Sequence, residues 1–251
     1  MEIMIYAIIS AKKNCDEVQT RLLPIRGISD SKIYDIPFGE ISAIAGPVNK
    51  SGIVSDRNKA IEYASVIDNL WKHFALLPMR YGSFMETDAD IQKMLGRNYE
   101  GFQQNLGKVE NMSEFGLKVF CDYDIIKAEL KAIAQSETKT TSQLVSGVEN
   151  SVFKDYVNKK LAEHRVEESM FKYIDSVIVA IKISLTGLFT DSKFKKMAGT
   201  TNIIDAVFLL QKHNEGELIQ QVETMQKQYP GLNFLLTGPW PPYSFVEITI
   251  K

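Results

Sequence analysis

The sequence predicts an α+β fold whose C-terminal part is a modified ferredoxin-like sheet, with strands and helices in the split βαβ order. Residues 2–9 form a nearly continuous apolar run, which is typical of a strand in the centre of a sheet. Two later stretches carry apolar side chains at helical spacing, and from residue 203 on a strand, a helix and a strand follow one another. We therefore expect long helices on one face of an antiparallel sheet.

The chain is long enough, at 251 residues, for one large domain or for two of ordinary size. A segment over residues 107–113 interrupts two patterned regions. We expect an N-terminal α+β domain over residues 1–112 and a C-terminal ferredoxin-like α+β domain over residues 113–251.

A strand, a short helix and a hairpin are expected at the start of the first domain. The helix covers residues 14–23 and ends near Pro24. Residues 33–36 and 41–45 are short apolar runs joined through residues 37–40, which predicts a hairpin with a longer loop.

Two helices follow in the first domain. Ser55 or Asp56 can cap a helix that runs to about residue 75. Its apolar stripe, with Trp71 in the core, is Ile61, Ala64, Ile67, Trp71 and Phe74. Thr87 and Asp90 resemble a capping box that opens a helix to about residue 109. Gly96 and Gly101 predict a break within that helix.

The second domain is expected to hold six further elements and two loops. In chain order they are a strand over 114–122, a polar loop or disordered segment over 135–143, a helix over 148–184, a basic loop over 190–201, a strand over 203–211, a helix capped by Asn214, a strand over 232–236 and a strand over 245–250.

Charge and hydropathy argue against several classes of function. A net charge of −2 and a pI near 6.0 argue against a general nucleic-acid binder, whose domain would be basic. Residues 1–10 lack the basic region and cleavage site of a signal peptide. The longest apolar run, residues 174–189, is interrupted by Asp175 and Lys182 and is too short to span a bilayer. We expect a soluble, cytoplasmic protein.

No motif for catalysis, nucleotide binding or metal binding occurs in the sequence. His73, His164 and His213 have no companion at ligand spacing, so packing or surface positions explain them. Cys15 and Cys121 are far apart and form no CxxC pair, which favours structural thiols over a nucleophile and leaves a single disulfide open. We expect no catalytic residue, no cofactor and no metal.

Three side chains are candidates for binding a partner. Residues 237–246 hold three of the eight prolines, so this segment is expected to be stiff, extended and absent from the centre of a sheet. Trp240 and Tyr243 lie on it, either packed onto the sheet or presented to a partner as aromatic anchors. Arg80 is the one charge in an apolar crossing between helices, where it either forms a structural ion pair or faces a ligand. The lysines at 193, 195 and 196 fit a solvated loop better than an anion site.

Five short motifs make the chain resemble the GvpF/GvpL family of gas vesicle proteins, and GvpF most of all. They are a β run with tyrosine at 5–8, a Gly-Glu-Ile step at 39–41, an LP-x-R-[FY]-G element at 77–82, an E-x-x-[LV]-K-V strand at 114–119 and the sequence TGPWPPYSF at 237–245. The last is long and specific, whereas residues 125–199 match no motif of the family.

The resemblance implies a minor gas vesicle component or assembly factor that binds the hydrophobic shell subunit GvpA and limits its aggregation while vesicles nucleate. It implies a place at the gas vesicle in the cytoplasm, other gas vesicle proteins as partners, and no enzyme activity, lipid or nucleic acid. The alternative is a cryptic enzyme or small-ligand-binding domain, with Arg80 near Cys121 or His73.

Overall fold

The computed structural model describes residues 2–11, 15–49, 53, 56–122, 126, 151–197 and 201–246, without the side chains of residues 15, 16 and 151–167. Several expectations lie outside these residues. They are the alternative cap Ser55, the polar segment at 135–143, the end of the last strand at 247–250, and the side chains of Cys15 and His164.

The chain forms two compact units. The first comprises Met1–Glu114, Leu209–Lys212 and Gly238–Lys251, and the second comprises Phe115–Phe208 and His213–Thr237. The division into domains at residue 112 stays a prediction.

The first unit contains an antiparallel sheet with strand order β2-β3-β1-β4, in which β5 also pairs with β1. Its strands are β1 (Glu2–Ser10), β2 (Tyr34–Phe38), β3 (Ile41–Val48), β4 (Leu76–Pro78) and β5 (Phe84–Met85). The apolar run at the start of the chain is therefore a central strand, as its pattern predicts.

Helices cover both faces of this sheet. They are α1 (Cys15–Leu22), α2 (Arg57–Trp71), α3 (Asp88–Arg97) and α4 (Tyr99–Val109). Met4 and Tyr6 of β1 pack into a core with α1 and α2, whereas Ile5 and Ile8 pack into a second core with α3 and α4. A strand buried on both faces needs apolar residues at every position, which explains the continuous run.

Local signals predict the capped helix starts of this unit correctly, whereas α2 ends at Trp71 and not at about residue 75. The side chain of Asp56 accepts a hydrogen bond from the backbone N–H of Asn58 at 2.8 Å. Thr87 caps α3 by accepting from the N–H of Asp90 at 3.2 Å. The expected break in the second helix falls at Asn98, between α3 and α4.

The buried face of α2 differs from the predicted one. Its buried residues are Tyr63, Val66, Ile67 and Leu70, and Ile61 is 59% exposed. Both stripes have three- and four-residue spacing, and only the packing partner selects between them. Trp71 is half-buried and packs against the core beside α2, and the ammonium of Lys212 lies 4.4 Å from its ring centroid.

The elements of the second sheet and its helices that lie in the described ranges follow in the order strand, helix, strand, strand, helix, strand. They are β6 (Met112–Cys121), α5 (Ser151–Ser184), β7 (Asp191–Lys196), β8 (Asn202–Gln211), α6 (Glu215–Gln228) and β9 (Leu232–Trp240). The strand order is β7-β8-β6-β9, so β7 and β9 are the edges.

Three predictions in this region are wrong. The basic loop at 190–201 contains β7, an edge strand whose exposed lysines conceal the strand pattern. Asn214 lies at the N-cap of α6, but the expected capping hydrogen bond from its side chain is absent, and its amide donates to the carbonyl of Leu188 at 2.9 Å. The final strand does not begin at Phe245, since Tyr243–Phe245 is a 3-10 turn.

Candidate partner-binding site

The segment over residues 77–82 is held to the first sheet by its backbone. Leu77 and Pro78 belong to β4, and the N–H of Met79 donates to the carbonyl of Tyr6 at 2.9 Å. The hydroxyl of Tyr63 lies within hydrogen-bond range of the carbonyls of both Tyr6 and Met79. Leu77 and Met79 are buried, so these two side chains serve the core.

A tight turn follows at residues 80–83. The N–H of Ser83 donates to the carbonyl of Arg80 at 3.0 Å, and Gly82 has a φ of 85°, the pattern of a type II turn. The hydroxyl of Tyr81 donates to the carbonyl of Ile53 at 2.5 Å, and its ring packs edge-on to Tyr63 at 5.3 Å. Both residues therefore have internal roles.

Arg80 has the opposite environment from its neighbours in this segment. Its side chain is exposed, and no carboxylate among the described residues forms an ion pair with it. Among the described residues, then, no partner for the structural ion pair is found, and the ligand-facing alternative stays a prediction. Within this turn Arg80 presents its guanidinium, a planar group with several donors, to solvent.

The proline-rich segment is anchored by a buried carboxylate. Glu114 of β6 is only 6% exposed. Its Oε2 accepts from the N–H of Ser244 at 2.7 Å, and its Oε1 accepts from the hydroxyl of Ser244 at 2.6 Å. Pro241 and Pro242, which come just before Ser244 in the chain, are buried. The backbone on both sides of Tyr243 is consequently held in place.

Two aromatic rings remain partly exposed on the anchored segment. Trp240 is 46% exposed and Tyr243 is 44% exposed. Partial burial, and then the nearby carboxylates of Asp68 and Glu114, raise the pKa of Tyr243 well above its ordinary value. Burial likewise raises the pKa of Asp68. Tyr243 stays neutral and keeps its hydroxyl proton at physiological pH.

The β9 edge of the second unit differs from the other sheet edges. Between Leu232 and Trp240 the strand carries no charged residue, and Leu235 is 48% exposed. The opposite edge, β7, carries three lysines. In the first sheet β2 contains a proline, and β4 and β5 have three and two residues. Charges, prolines and shortness protect sheet edges from pairing, and β9 has a proline only near its end, at Pro239, so its part from Leu232 to Thr237 is the least protected of the described edges.

A cavity of about 250 Å³ lies in the first unit and is lined in part by Arg21, Trp71, His73 and Lys212. The guanidinium of Arg21 is already bonded to Glu17 at 2.5 Å and to the carbonyl of His73 at 2.8 Å. The cavity does not include Arg80, so the structure does not bring Arg80 and His73 into one pocket.

The remaining titratable candidates are not arranged for chemistry. Cys121 is a free, buried thiol, and burial raises its pKa, which disfavours the nucleophilic thiolate. Within the described part of the chain, no three histidine, cysteine or acidic residues are placed to hold a metal ion. Over the same residues, no helix is both long and apolar enough to cross a bilayer.

Two residues that contact the backbone of the candidate segments, Glu114 and Gln226, are not among those expected from the sequence. Glu114 carries a weak signal, since it is a carboxylate within an otherwise apolar strand pattern, but nothing in the sequence pairs it with Ser244. Gln226 carries no signal at all, although its amide contacts the backbone of β9.

Comparison with known proteins identifies the family. The family model for the gas vesicle synthesis protein GvpL/GvpF matches residues 2–247. The chain belongs to this family. The two segments of sequence that most resemble this family, at 77–82 and 237–245, carry Arg80, Trp240 and Tyr243. A role in gas vesicles follows from this membership.

Individual members of the family are distant in sequence and close in fold. Gas vesicle protein L of a Streptomyces species is 22% identical over 68% of this chain and 62% of its own length. Gas vesicle protein L1 of Halobacterium salinarum is 20% identical over 90% of this chain and 85% of its own. The crystal structure of GvpF from Anabaena superposes with a TM-score of 0.82 at 16% identity, covering 99% of both chains. The crystal structure of GvpF from Microcystis aeruginosa superposes with a TM-score of 0.75 at 17% identity, covering 98% of this chain and 99% of its own. The predicted α+β class with antiparallel sheets is thereby confirmed.

Proposed function

We propose that this protein is a minor component or assembly factor of gas vesicles that binds the shell subunit GvpA and limits its aggregation while vesicles nucleate. It acts at the gas vesicle in the cytoplasm, together with other gas vesicle proteins, and without enzyme activity, cofactor, lipid or nucleic acid. The observation that carries the proposal is the pair of half-exposed rings, Trp240 and Tyr243, on a segment anchored by Glu114 and buried prolines.

Anchored aromatic side chains suit the binding of an apolar partner. A ring on a stiff backbone loses little conformational freedom on binding, and exposed tryptophan and tyrosine are frequent hot spots of interfaces. Trp240 and Tyr243 each leave nearly half of their surface available. An exposed arginine such as Arg80 can add hydrogen bonds to backbone carbonyls or carboxylates of the partner.

The strand order supports the finer fold assignment that we infer for the second domain. Strand, helix, strand, strand, helix, strand is the element order of a ferredoxin-like fold. The order β7-β8-β6-β9 places the first and third strands of this set at the centre of the sheet, as such a fold requires. In it β9 is an edge strand, available to a strand-forming subunit.

The test is an aggregation assay with purified GvpA. The protein at stoichiometric excess should lower the light scattering of GvpA. Trp240→Ala and Arg80→Ala should each weaken that protection, Trp240→Ala by roughly thirtyfold in Kd, since an anchor residue contributes about 2 kcal/mol. Phe171→Ala is the matched control, because Phe171 is a ring of similar exposure, 43%, outside the proposed site.

Two results would count against this function. If wild-type protein leaves the scattering of GvpA unchanged, the chaperone-like role is wrong. If Trp240→Ala unfolds the protein, as judged by circular dichroism, the ring is part of the core and does not serve as an anchor.

A further inference from the structure

Gln226 of α6 is bonded to the backbone of β9 through both ends of its side-chain amide. Its Nε2 donates to the carbonyl of Leu232 at 2.8 Å, and its Oε1 accepts from the N–H of Phe234 at 2.9 Å. The N–H of Leu232 donates to the carbonyl of Tyr229 at 2.9 Å. These backbone groups are therefore occupied by groups of the chain that precede β9.

The bonded groups are those that point away from the sheet. In a strand, the N–H and C=O of one residue face the same side, and residues two apart repeat that direction. Leu232 and Phe234 are two apart, and their N–H groups already donate to Tyr229 and Gln226, so we infer that this side of β9 faces away from β6. Leu236 is the next residue of this outward set by the same alternation.

The amide of Gln226 has the bonding pattern of one residue in an added parallel strand. Such a residue donates its N–H to the carbonyl of one residue and accepts from the N–H of the residue two further on. The side chain does the same with Leu232 and Phe234, at ordinary hydrogen-bond lengths. The chain thus covers its least protected edge with a single side chain.

We propose that the outward edge of β9 from Leu232 to Leu236 is a binding surface for an extended, uncharged strand of a partner protein. In the absence of the partner, the side-chain amide of Gln226 occupies the backbone hydrogen-bonding groups that this strand would use. The partner's backbone replaces the amide of Gln226 and continues the sheet. The identity of the partner in the cell rests on the function proposed above, whereas the surface can be tested alone.

The absence of charge on β9 argues for this occupant. A strand that needs permanent protection normally carries lysine or proline along its edge, as β7 does with lysine. Leu232 to Thr237 carry neither, and Leu235 is 48% exposed. Backbone pairing supplies the affinity in such additions, and apolar side chains on alternate positions supply contact area.

The test uses a short acetylated and amidated peptide of alternating threonine and valine with a lysine at each end. Gln226→Met preserves the length of the side chain and removes its hydrogen bonds. This variant should bind the peptide about tenfold more tightly than wild type, because two hydrogen bonds no longer need to be broken. Gln220→Met, an exposed glutamine on the same helix, is the matched control and should bind like wild type. Fluorescence anisotropy measures the affinity.

Hydrogen exchange locates the bound peptide. The amide of Phe234 should exchange several-fold faster in Gln226→Met than in wild type, and should become protected again when the peptide is added. The same peptide with proline at its centre cannot pair and should not bind. Gln226→Glu, which keeps an acceptor for Phe234 but has no donor for Leu232, should also bind more tightly than wild type.

The proposal is overturned if Gln226→Met and Gln226→Glu bind the peptide no better than wild type, or if the proline peptide binds equally well. Unchanged exchange at β6 and β8 in the variants shows that the sheet is intact. Because GvpA takes no part in this experiment, its outcome is independent of the aggregation assay.

Discussion

Removing the hydroxyl of Ser244 should release part of the anchor of the proline-rich segment. In Ser244→Ala, Glu114 loses the 2.6 Å bond from the hydroxyl and keeps the 2.7 Å bond from the backbone N–H. A hydrogen bond to a charged group contributes about 1.5–3 kcal/mol, and Glu114 is only 6% exposed, so water replaces the lost donor poorly. We expect the free energy of unfolding to fall by about 2 kcal/mol.

Urea unfolding followed by circular dichroism and by tryptophan fluorescence measures this loss. In a thermal scan the same change corresponds to a midpoint lower by about 4–8 °C for a chain of this size. Ser176→Ala is the control, because its hydroxyl donates to the carbonyl of Tyr173 at 2.7 Å on an exposed part of α5. That variant should stay within about 0.5 kcal/mol of wild type.

A double-mutant cycle separates the interaction energy between Glu114 and Ser244 from the other effects of each substitution. Glu114→Gln removes the charge, and its cost combined with that of Ser244→Ala should be less than additive by about 1–2 kcal/mol. If Ser244→Ala costs less than about 0.5 kcal/mol, or if the two costs simply add, Glu114 does not anchor the segment through Ser244.

Two further predictions concern the first unit. Gly82→Ala should lower the free energy of unfolding by about 1 kcal/mol, because φ is 85° there; the new Cβ itself meets nothing nearer than 3.7 Å. Gly101→Ala in α4 should instead raise the free energy of unfolding by about 0.5–1 kcal/mol, because alanine favours a helix. If urea unfolding shows both variants changing the free energy of unfolding in the same direction, the turn assignment at Gly82 is contradicted. Burial and the hydrogen bond to Asp88 raise the pKa of Tyr34 to about 12, so the stability that its neutral form contributes is intact below pH ~10 and is lost as the pH rises through about 12. Asp88→Asn should lower that pKa in an ultraviolet titration of tyrosine, read against Tyr34→Phe, and an unchanged pKa would contradict the assigned role of Asp88.

Local sequence patterns predict a structural feature correctly where that feature depends on interactions between neighbours in the chain. The cap at Thr87 and the break before Tyr99 depend on contacts within one or two helical turns, and the sequence predicts both. The choice of the buried face of α2 depends on a sheet that forms from other parts of the chain. Ile61 and Val66 are equally apolar, and only packing makes the first exposed and the second buried.

The candidate site likewise has features that the sequence predicts and features that depend on the folded structure. Its motifs mark Arg80, Trp240 and Tyr243 in the sequence, but the exposure that makes them available to a partner is a property of the folded chain. Glu114 and Ser244 are 130 residues apart, and no pattern of either segment predicts their contact.

The amino-acid sequence by itself determined the α+β class, the central position of β1, the capped helix starts and the membership of the GvpL/GvpF family. These follow from periodicity, from backbone restrictions and from short motifs, all of which act over a few residues. The tertiary structure alone decided which aromatic rings reach solvent, where the buried carboxylate lies and which side chain covers the β9 edge. Those features depend on groups that only the folded backbone brings together, because burial and hydrogen-bond partners are set by distance in space.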